Sequence, residues 1–201
     1  MDNVSLPYES SRRDYMRRSM IGQFLLIVCC MFYLIWWYRG YRPGTAVNRI
    51  GGLNGALLLL TMAFGAAGVL LSLTRLQAVT EPKIPPAMII PAGIAAYAAL
   101  FLITKVFFQR IVTTELFLIV AWTMLELAVI NRLLTGGFLT DLGFVILCIV
   151  IAVAFLISIV LYVAYYRMEE LHAFYAAMVP LATEAAAMDA IILITLRGYR
   201  G

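Results

Sequence analysis

Six apolar runs occupy most of this 201-residue chain, and each is long enough, as a helix, to cross a lipid bilayer. About 20 residues of helix span the hydrocarbon core. The runs cover residues 20–38, 51–73, 86–108, 111–131, 139–166 and 173–196. Only 13% of the residues are charged, which is too little to cover the surface of a soluble domain of this size. The sequence therefore predicts an all-α polytopic membrane protein, a bundle of about six transmembrane helices.

One membrane domain accounts for nearly the whole chain. The predicted organisation is a polar cytoplasmic segment at 1–19, a six-helix transmembrane domain at 20–197 and a short tail at 198–201. The first apolar run is about twice as long as the apolar region of a signal peptide. It also ends in aromatic residues at 36–38, which are typical of the membrane interface. We therefore expect this run to be retained as the first spanning helix.

The distribution of basic residues predicts the orientation. With the N-terminus inside, nine Lys and Arg residues fall on the inner side and six on the outer side. A cluster at residues 12–18 carries this bias, and basic residues favour the cytoplasmic side. We expect both termini in the cytoplasm and the protein in the plasma membrane. The net charge of +4 fits contact with anionic lipid and indicates no nucleic-acid partner.

Three acidic residues lie deep in the predicted helices. They are Glu126 in the fourth run, and Glu184 and Asp189 in the sixth. A charge at this depth costs at least roughly 2.5–3.5 kcal/mol, and no Lys or Arg lies at the same depth. We expect all three to face the protein interior, with at least two sharing a site for a proton or a cation. Glu184 and Asp189 differ by about 140° around a helix, and similar depth predicts that Asp189 meets Glu126.

Two further residues lie near these acids. Pro180 precedes Glu184 by one turn, and it predicts a kink because it cannot donate to the carbonyl at Ala176. The kink either exposes backbone oxygens to a bound ion or serves packing alone, and both readings remain open. Glu115 shares a helix face with Glu126, and we interpret it first as an ion pair with Lys105 across a tight hairpin.

A stripe of small and weakly polar residues follows one face of the second run. Its members are Asn54, Thr61, Gly65, Gly68 and Ser72. Such stripes let two membrane helices approach closely. A packing seam is the favoured interpretation, and one wall of a polar cavity is the alternative.

Three arginines, Arg39, Arg42 and Arg49, follow the first run. They are suited to binding a phosphate headgroup, although interfacial anchoring explains them as well. His172 and two neighbouring glutamates form a weak metal signal, for which a solvated loop is the favoured interpretation. We predict no metal site and no cofactor. A single histidine excludes a bis-histidine haem site.

Three classes of function fit these features. The first is a small transporter or channel-like protein whose intramembrane carboxylates bind a proton or a cation. The second is an accessory or sensory subunit that packs against a membrane partner or a second copy of itself. The third is a lipid-modifying enzyme, which has the least support because the sequence shows no nucleophile paired with a base. An enzyme is therefore not the favoured interpretation.

Overall fold

All of the regular secondary structure in the described part of the chain is helical. The computed structural model describes residues 6–44, 51–73, 80–106, 109, 114–165 and 167–200. Its helices are α1 (Leu6–Tyr41), α2 (Gly52–Ser72), α3 (Pro86–Val106), α4 (Thr114–Thr135), α5 (Asp141–Tyr165), α6 (Glu170–Ala176) and α7 (Val179–Arg200). Six segments are long and apolar enough to cross a membrane, the last of them formed by α6 and α7 together. The predicted fold class is confirmed.

Helix α1 begins far ahead of the first apolar run, at Leu6. Its early turns pack against the bundle, because Tyr15 and Met16 are buried and the Tyr15 ring stacks on Phe138 at 5.8 Å between centroids. Ser19 and Gln23, at helical spacing from these residues, are buried as well. The buried face of the apolar run therefore extends back into the polar N-terminal segment, and this continuity explains why no break separates the two.

Helix α4 also extends beyond its predicted end at residue 131 and reaches Thr135. Arg132 does not terminate it, because its guanidinium donates a hydrogen bond to the carbonyl of Leu73 at the end of α2. Leu133 is fully buried in the next position. The middle of α4 therefore lies close to Glu126, several residues later than the sequence predicted.

The sixth spanning segment is broken where Pro180 was predicted to kink it. Helix α6 ends at Ala176 and α7 begins at Val179. The amide of Met178 donates to the carbonyl of Tyr175 at 3.0 Å, which tightens the turn between the two helices. Pro180 lies in the first turn of α7, where its missing N–H removes no intrahelical bond. The helix is therefore interrupted at residues 177–178, just before the position where the sequence predicts a kink.

Helices α1 and α2 form the closest helix pair in the bundle. A Cβ on Gly68 would lie 2.7 Å from the Leu26 side chain, and a Cβ on Gly22 would lie 2.5 Å from the Ser72 hydroxyl. Gln23 donates a hydrogen bond to the same hydroxyl at 2.9 Å. The stripe on α2 is therefore a packing seam against α1, as the sequence analysis favoured.

The other helices pack around this pair, and they differ in how much of each is buried. Helix α7 packs on α5 and α1, and α4 packs on α3, α5 and α7. Helix α3 packs chiefly on α4, where a Cβ on Gly93 would meet Met124 at 2.7 Å. At the end of the bundle that holds Tyr15, Lys83 and Asp141 form an ion pair at 2.5 Å. This pair fixes the start of α5 against the segment that precedes α3.

Candidate functional site

Glu126 of α4 and Glu184 of α7 form a buried pair in the middle of the bundle. Their side chains are 1% and 3% exposed, and the two carboxyl groups lie close enough to interact. The Ser158 hydroxyl of α5 donates a hydrogen bond to Oε1 of Glu184 at 3.2 Å. Both oxygens of Glu126 and Oε2 of Glu184 lack a well-formed hydrogen bond within the described part of the chain. We call these two residues the carboxyl pair.

No basic side chain compensates this pair among the described residues. The ion pairs found there join Lys83 to Asp141 and His172 to Glu169, far from α4 and α7 at this depth. On α1, Cys30 is buried and lies within electrostatic range of both carboxyl groups. Two acidic groups thus meet between α1, α4, α5 and α7 without a compensating cation from the described residues.

Asp189 does not join the carboxyl pair. Its side chain is exposed on the outside of the bundle, so the prediction that it faces inward and meets Glu126 is wrong. The error came from the predicted end of the fourth run, which placed Glu126 too far from the middle of its helix. Because α4 extends to Thr135, Glu126 meets Glu184 instead, and the 140° offset turns Asp189 away.

Beside the carboxyl pair lies a cavity of about 360 Å³, which we call the side cavity. It is bounded by α1, α2, α4, α5 and the break between α6 and α7. Glu184 lines it, so one member of the carboxyl pair reaches its wall. Pro180, Ala176 and Ala177 line it as well, which shows that the helix break shapes one of its sides.

The lining of the side cavity is mostly aromatic and aliphatic. Five aromatic side chains contribute, and they are Tyr33, Trp37, Trp122, Tyr162 and Tyr165. Glu115 and Glu184 are its acidic residues, and no Lys or Arg is found among the described residues that line it. The cavity therefore offers ring surfaces beside an acidic side chain of the carboxyl pair.

The side cavity borders the surface that would face lipid. Met62 of α2 and Leu118 of α4 both line it, and they are 64% and 49% exposed. Across the described residues, α2 packs mainly on α1 and makes no substantial contact with α4. The gap between α2 and α4 thus brings the cavity to the side of the bundle.

Further polar groups lie on the other side of the carboxyl pair, toward the end of the bundle that holds Tyr15. Gln23 and Ser19 of α1 and Thr195 of α7 are buried, and each has a side-chain atom without a hydrogen-bond partner in the described structure. Leu26 and Met188 lie between them and the carboxyl pair along the same helices, and both are almost fully buried. Apolar packing therefore closes this side.

The remaining predicted residues lie away from the carboxyl pair. Arg39 donates to Oδ1 of Asn54 at 3.3 Å, and the Arg42 guanidinium lies 5.4 Å from the Tyr38 ring centroid. Arg49 lies outside the described residues. The Lys105 ammonium lies 5.8 Å from the Phe101 ring centroid, whereas Glu115 lines the side cavity. The interpretation of Lys105 and Glu115 as an ion pair is therefore replaced by two separate contacts.

His172 lies 3.7 Å from Glu169, and both side chains are strongly exposed. Within the described ranges, no group of three or more His, Cys, Asp or Glu side chains is arranged to hold a metal ion. This loop therefore takes no part in the site.

Sequence reasoning missed three kinds of residue at this site, namely a serine, two tryptophans and a cysteine. Ser158 has a visible signal, because it is the only serine or threonine within α5. Trp37 had been assigned to the membrane interface, and nothing in the spacing of Trp37 and Trp122 indicated a shared cavity. Cys30 reads as an ordinary small apolar residue, which is the usual role of a buried cysteine.

Fold and composition place the chain in a broad class, that of multi-pass integral membrane proteins. Comparison with protein-family models, with curated proteins and with solved structures finds no match. Function is therefore argued from the carboxyl pair and the side cavity alone.

Proposed function

We propose that this protein is a small membrane transporter in which the carboxyl pair binds a proton or a cation. One observation carries the proposal: Glu126 and Glu184 meet deep in the bundle with no basic partner among the described residues. Ionisable groups at such positions are rare and mark ion or proton pathways. A neutral core of the same shape would be the less costly choice for structure alone.

The surroundings of the pair support transport over passive packing. On one side the pair reaches the side cavity through Glu184. On the other side Gln23, Ser19 and Thr195 place polar groups behind the apolar layer of Leu26 and Met188. The pair thus has a cavity on one side and a closed apolar layer on the other, and this difference in access supports a transport site.

Reconstitution tests this function directly. Purified protein is placed in liposomes with a pH-sensitive dye inside, and a gradient of H⁺, Na⁺ or K⁺ is imposed. We expect protein-dependent proton or cation movement for the wild type. Glu126→Gln should abolish this ion movement, because the amide has the shape of the carboxyl group but can bind neither a proton nor a cation.

Asp189→Asn is the matched control, since it removes an exposed carboxyl group from the same set of intramembrane acids. It should leave the ion movement unchanged. Wild-type liposomes that behave like empty ones under every gradient would contradict the proposal. So would equal movement in the wild type and in Glu126→Gln at equal amounts of folded protein.

A second candidate, an accessory subunit, is favoured by the exposed face of α7. Ala182, Ala186, Asp189 and Leu193 follow one another at helical spacing, and all are exposed. Asp189 lies about 12 Å before Arg197 along the helix, so a spanning α7 places it within the membrane. A carboxyl group on such a face is suited to a partner helix that carries a basic side chain at the same depth.

Photo-cross-linking in native membranes tests the second candidate. A benzophenone amino acid placed at Ala186, which inserts into a C–H bond of whatever lies against it, should cross-link to the partner helix. Leu70, exposed on α2, provides the control position. A cross-linked partner whose yield falls on Asp189→Asn supports the candidate, whereas equal cross-linking at residues 70 and 186 contradicts it.

A further inference from the structure

We propose that the side cavity binds a hydrophobic organic cation, and that this class of molecule is the substrate of the transporter. The inference rests on the proposed function and deepens it. The carboxyl pair supplies the ion coupling, and the cavity beside it supplies the substrate site. The wall of the cavity, rather than the pair alone, determines which molecule fits.

Charge selects the sign of the ligand. Glu184 lines the cavity, and the described lining residues include no Lys or Arg. An anion would meet this acidic group in a low-dielectric site, where repulsion is strong. A cation is attracted to the same wall.

Size and lining select an organic ligand over a metal ion. A cavity of about 360 Å³ falls within the range that holds small organic molecules. Hard metal cations require six to eight oxygen ligands close together, and this lining is mostly aromatic and aliphatic. The described residues therefore match a molecule with apolar groups and one positive charge.

The aromatic residues strengthen the preference for a cation. Tyr33, Trp37, Trp122, Tyr162 and Tyr165 are distributed over α1, α4 and α5 around the cavity. Aromatic rings attract organic cations through the negative potential of their faces, and Trp does so most strongly. Aromatic cages supplemented by carboxylates are the known way in which proteins recognise substituted ammonium groups. The cavity combines both components.

Binding of two probes of the same shape and opposite charge tests the inference. The full chain, purified in detergent, is titrated with radiolabelled tetraphenylphosphonium, and tetraphenylborate serves as the anionic counterpart. We expect saturable binding of tetraphenylphosphonium that tetraphenylborate does not displace. Glu184→Gln should weaken binding at least ~10-fold, and Trp122→Phe should weaken it by a smaller factor.

Glu169→Gln is the control variant, because Glu169 is an exposed glutamate outside the cavity. It should bind like the wild type. Trp122→Phe gives the second test at the wall of the cavity, in case Glu184→Gln alters the fold. Absent saturable binding, equal binding of the two probes, or wild-type affinity in both Glu184→Gln and Trp122→Phe would overturn the inference.

Failure of this inference and failure of the proposed function give different results. Ion movement that depends on Glu126, without tetraphenylphosphonium binding, would retain the transporter and reject the substrate class. Binding that depends on Glu184, with ion movement unchanged in Glu126→Gln, would retain the cavity as a cation site and reject the coupling role of the pair.

Discussion

A carboxyl group that is almost completely buried in a membrane domain needs a partner or a ligand. Glu126 has no basic side chain beside it among the described residues, and the group that interacts with it is a second carboxyl group, that of Glu184. Two full negative charges cannot coexist at such close range in a medium of low dielectric constant. The pair must therefore hold a proton or a cation, and this requirement is what makes it suited to exchange one.

Replacing Glu126 by Gln should separate function from stability. The amide removes a group that must be kept neutralised, so we expect the melting temperature of the purified protein to stay the same or rise. Ion movement should be lost in the same variant. Thermal unfolding and the liposome assay on one preparation check both parts, and a clearly lower melting temperature would indicate a structural role instead.

The Ser158 hydroxyl offers an independent measure of the Glu184 environment. Ser158→Ala removes the donor to Oε1, and the loss of one hydrogen bond to a buried acceptor should destabilise the protein by about 1–3 kcal/mol. In a chain that already carries Glu184→Gln, Ser158→Ala should lower the free energy of unfolding by a smaller amount. Unfolding of both single variants and the double variant gives the coupling energy. Additive effects would show that Ser158 acts elsewhere.

At the scale of elements, helix pairs differ in how closely their backbones approach. Helices α1 and α2 are in contact through Gly22, Gly68 and Ser72, without space for larger side chains. The interrupted α6–α7 segment represents the opposite case, because its break leaves room for the side cavity. The closely packed α1–α2 pair leaves no room for a cavity, whereas the break between α6 and α7 leaves the space that the side cavity occupies.

Enlarging a residue in the α1–α2 seam should therefore destabilise the protein. Gly68→Leu places a side chain where Leu26 already lies, and overpacking of this kind costs about 1–3 kcal/mol. Leu70→Ala is the control on the opposite face of α2, since Leu70 is 73% exposed. Thermal unfolding in detergent compares the two variants, and equal loss of stability in both would rule out the seam.

Particular residues show how much of this fold and site the sequence can predict. Long apolar runs predict spanning helices well, because bilayer thickness sets their length. Ends are harder to predict: the fourth run was predicted to end at residue 131, but the carbonyl of Leu73 accepts a hydrogen bond from Arg132 and α4 continues to Thr135. Because α4 ends later than predicted, the partner of Glu126 is Glu184 and not Asp189. The side cavity depends on side chains from five segments, which no local pattern connects.

At the scale of the whole molecule, six crossings place both ends of the chain on the same side. Reporter domains fused after Arg75, Arg132 and Arg200 should report one side of the membrane. Fusions after Arg49, Arg110 and Arg167 should report the other. With the excess of basic residues at the N-terminal side, the first set is expected to be cytoplasmic. An odd number of crossings would contradict the bundle, and a reversed pattern would contradict only the orientation.

The gap between α2 and α4 has a consequence for how ligand binding is measured. Met62 and Leu118 at this gap would contact acyl chains, so we expect the proposed hydrophobic ligand to enter from the bilayer and not from water. Its effective concentration is then its mole fraction in lipid, which is set by its partition coefficient. Apparent affinity in vesicles should vary with the ratio of lipid to protein, and potency across a ligand series should follow membrane solubility as well as fit.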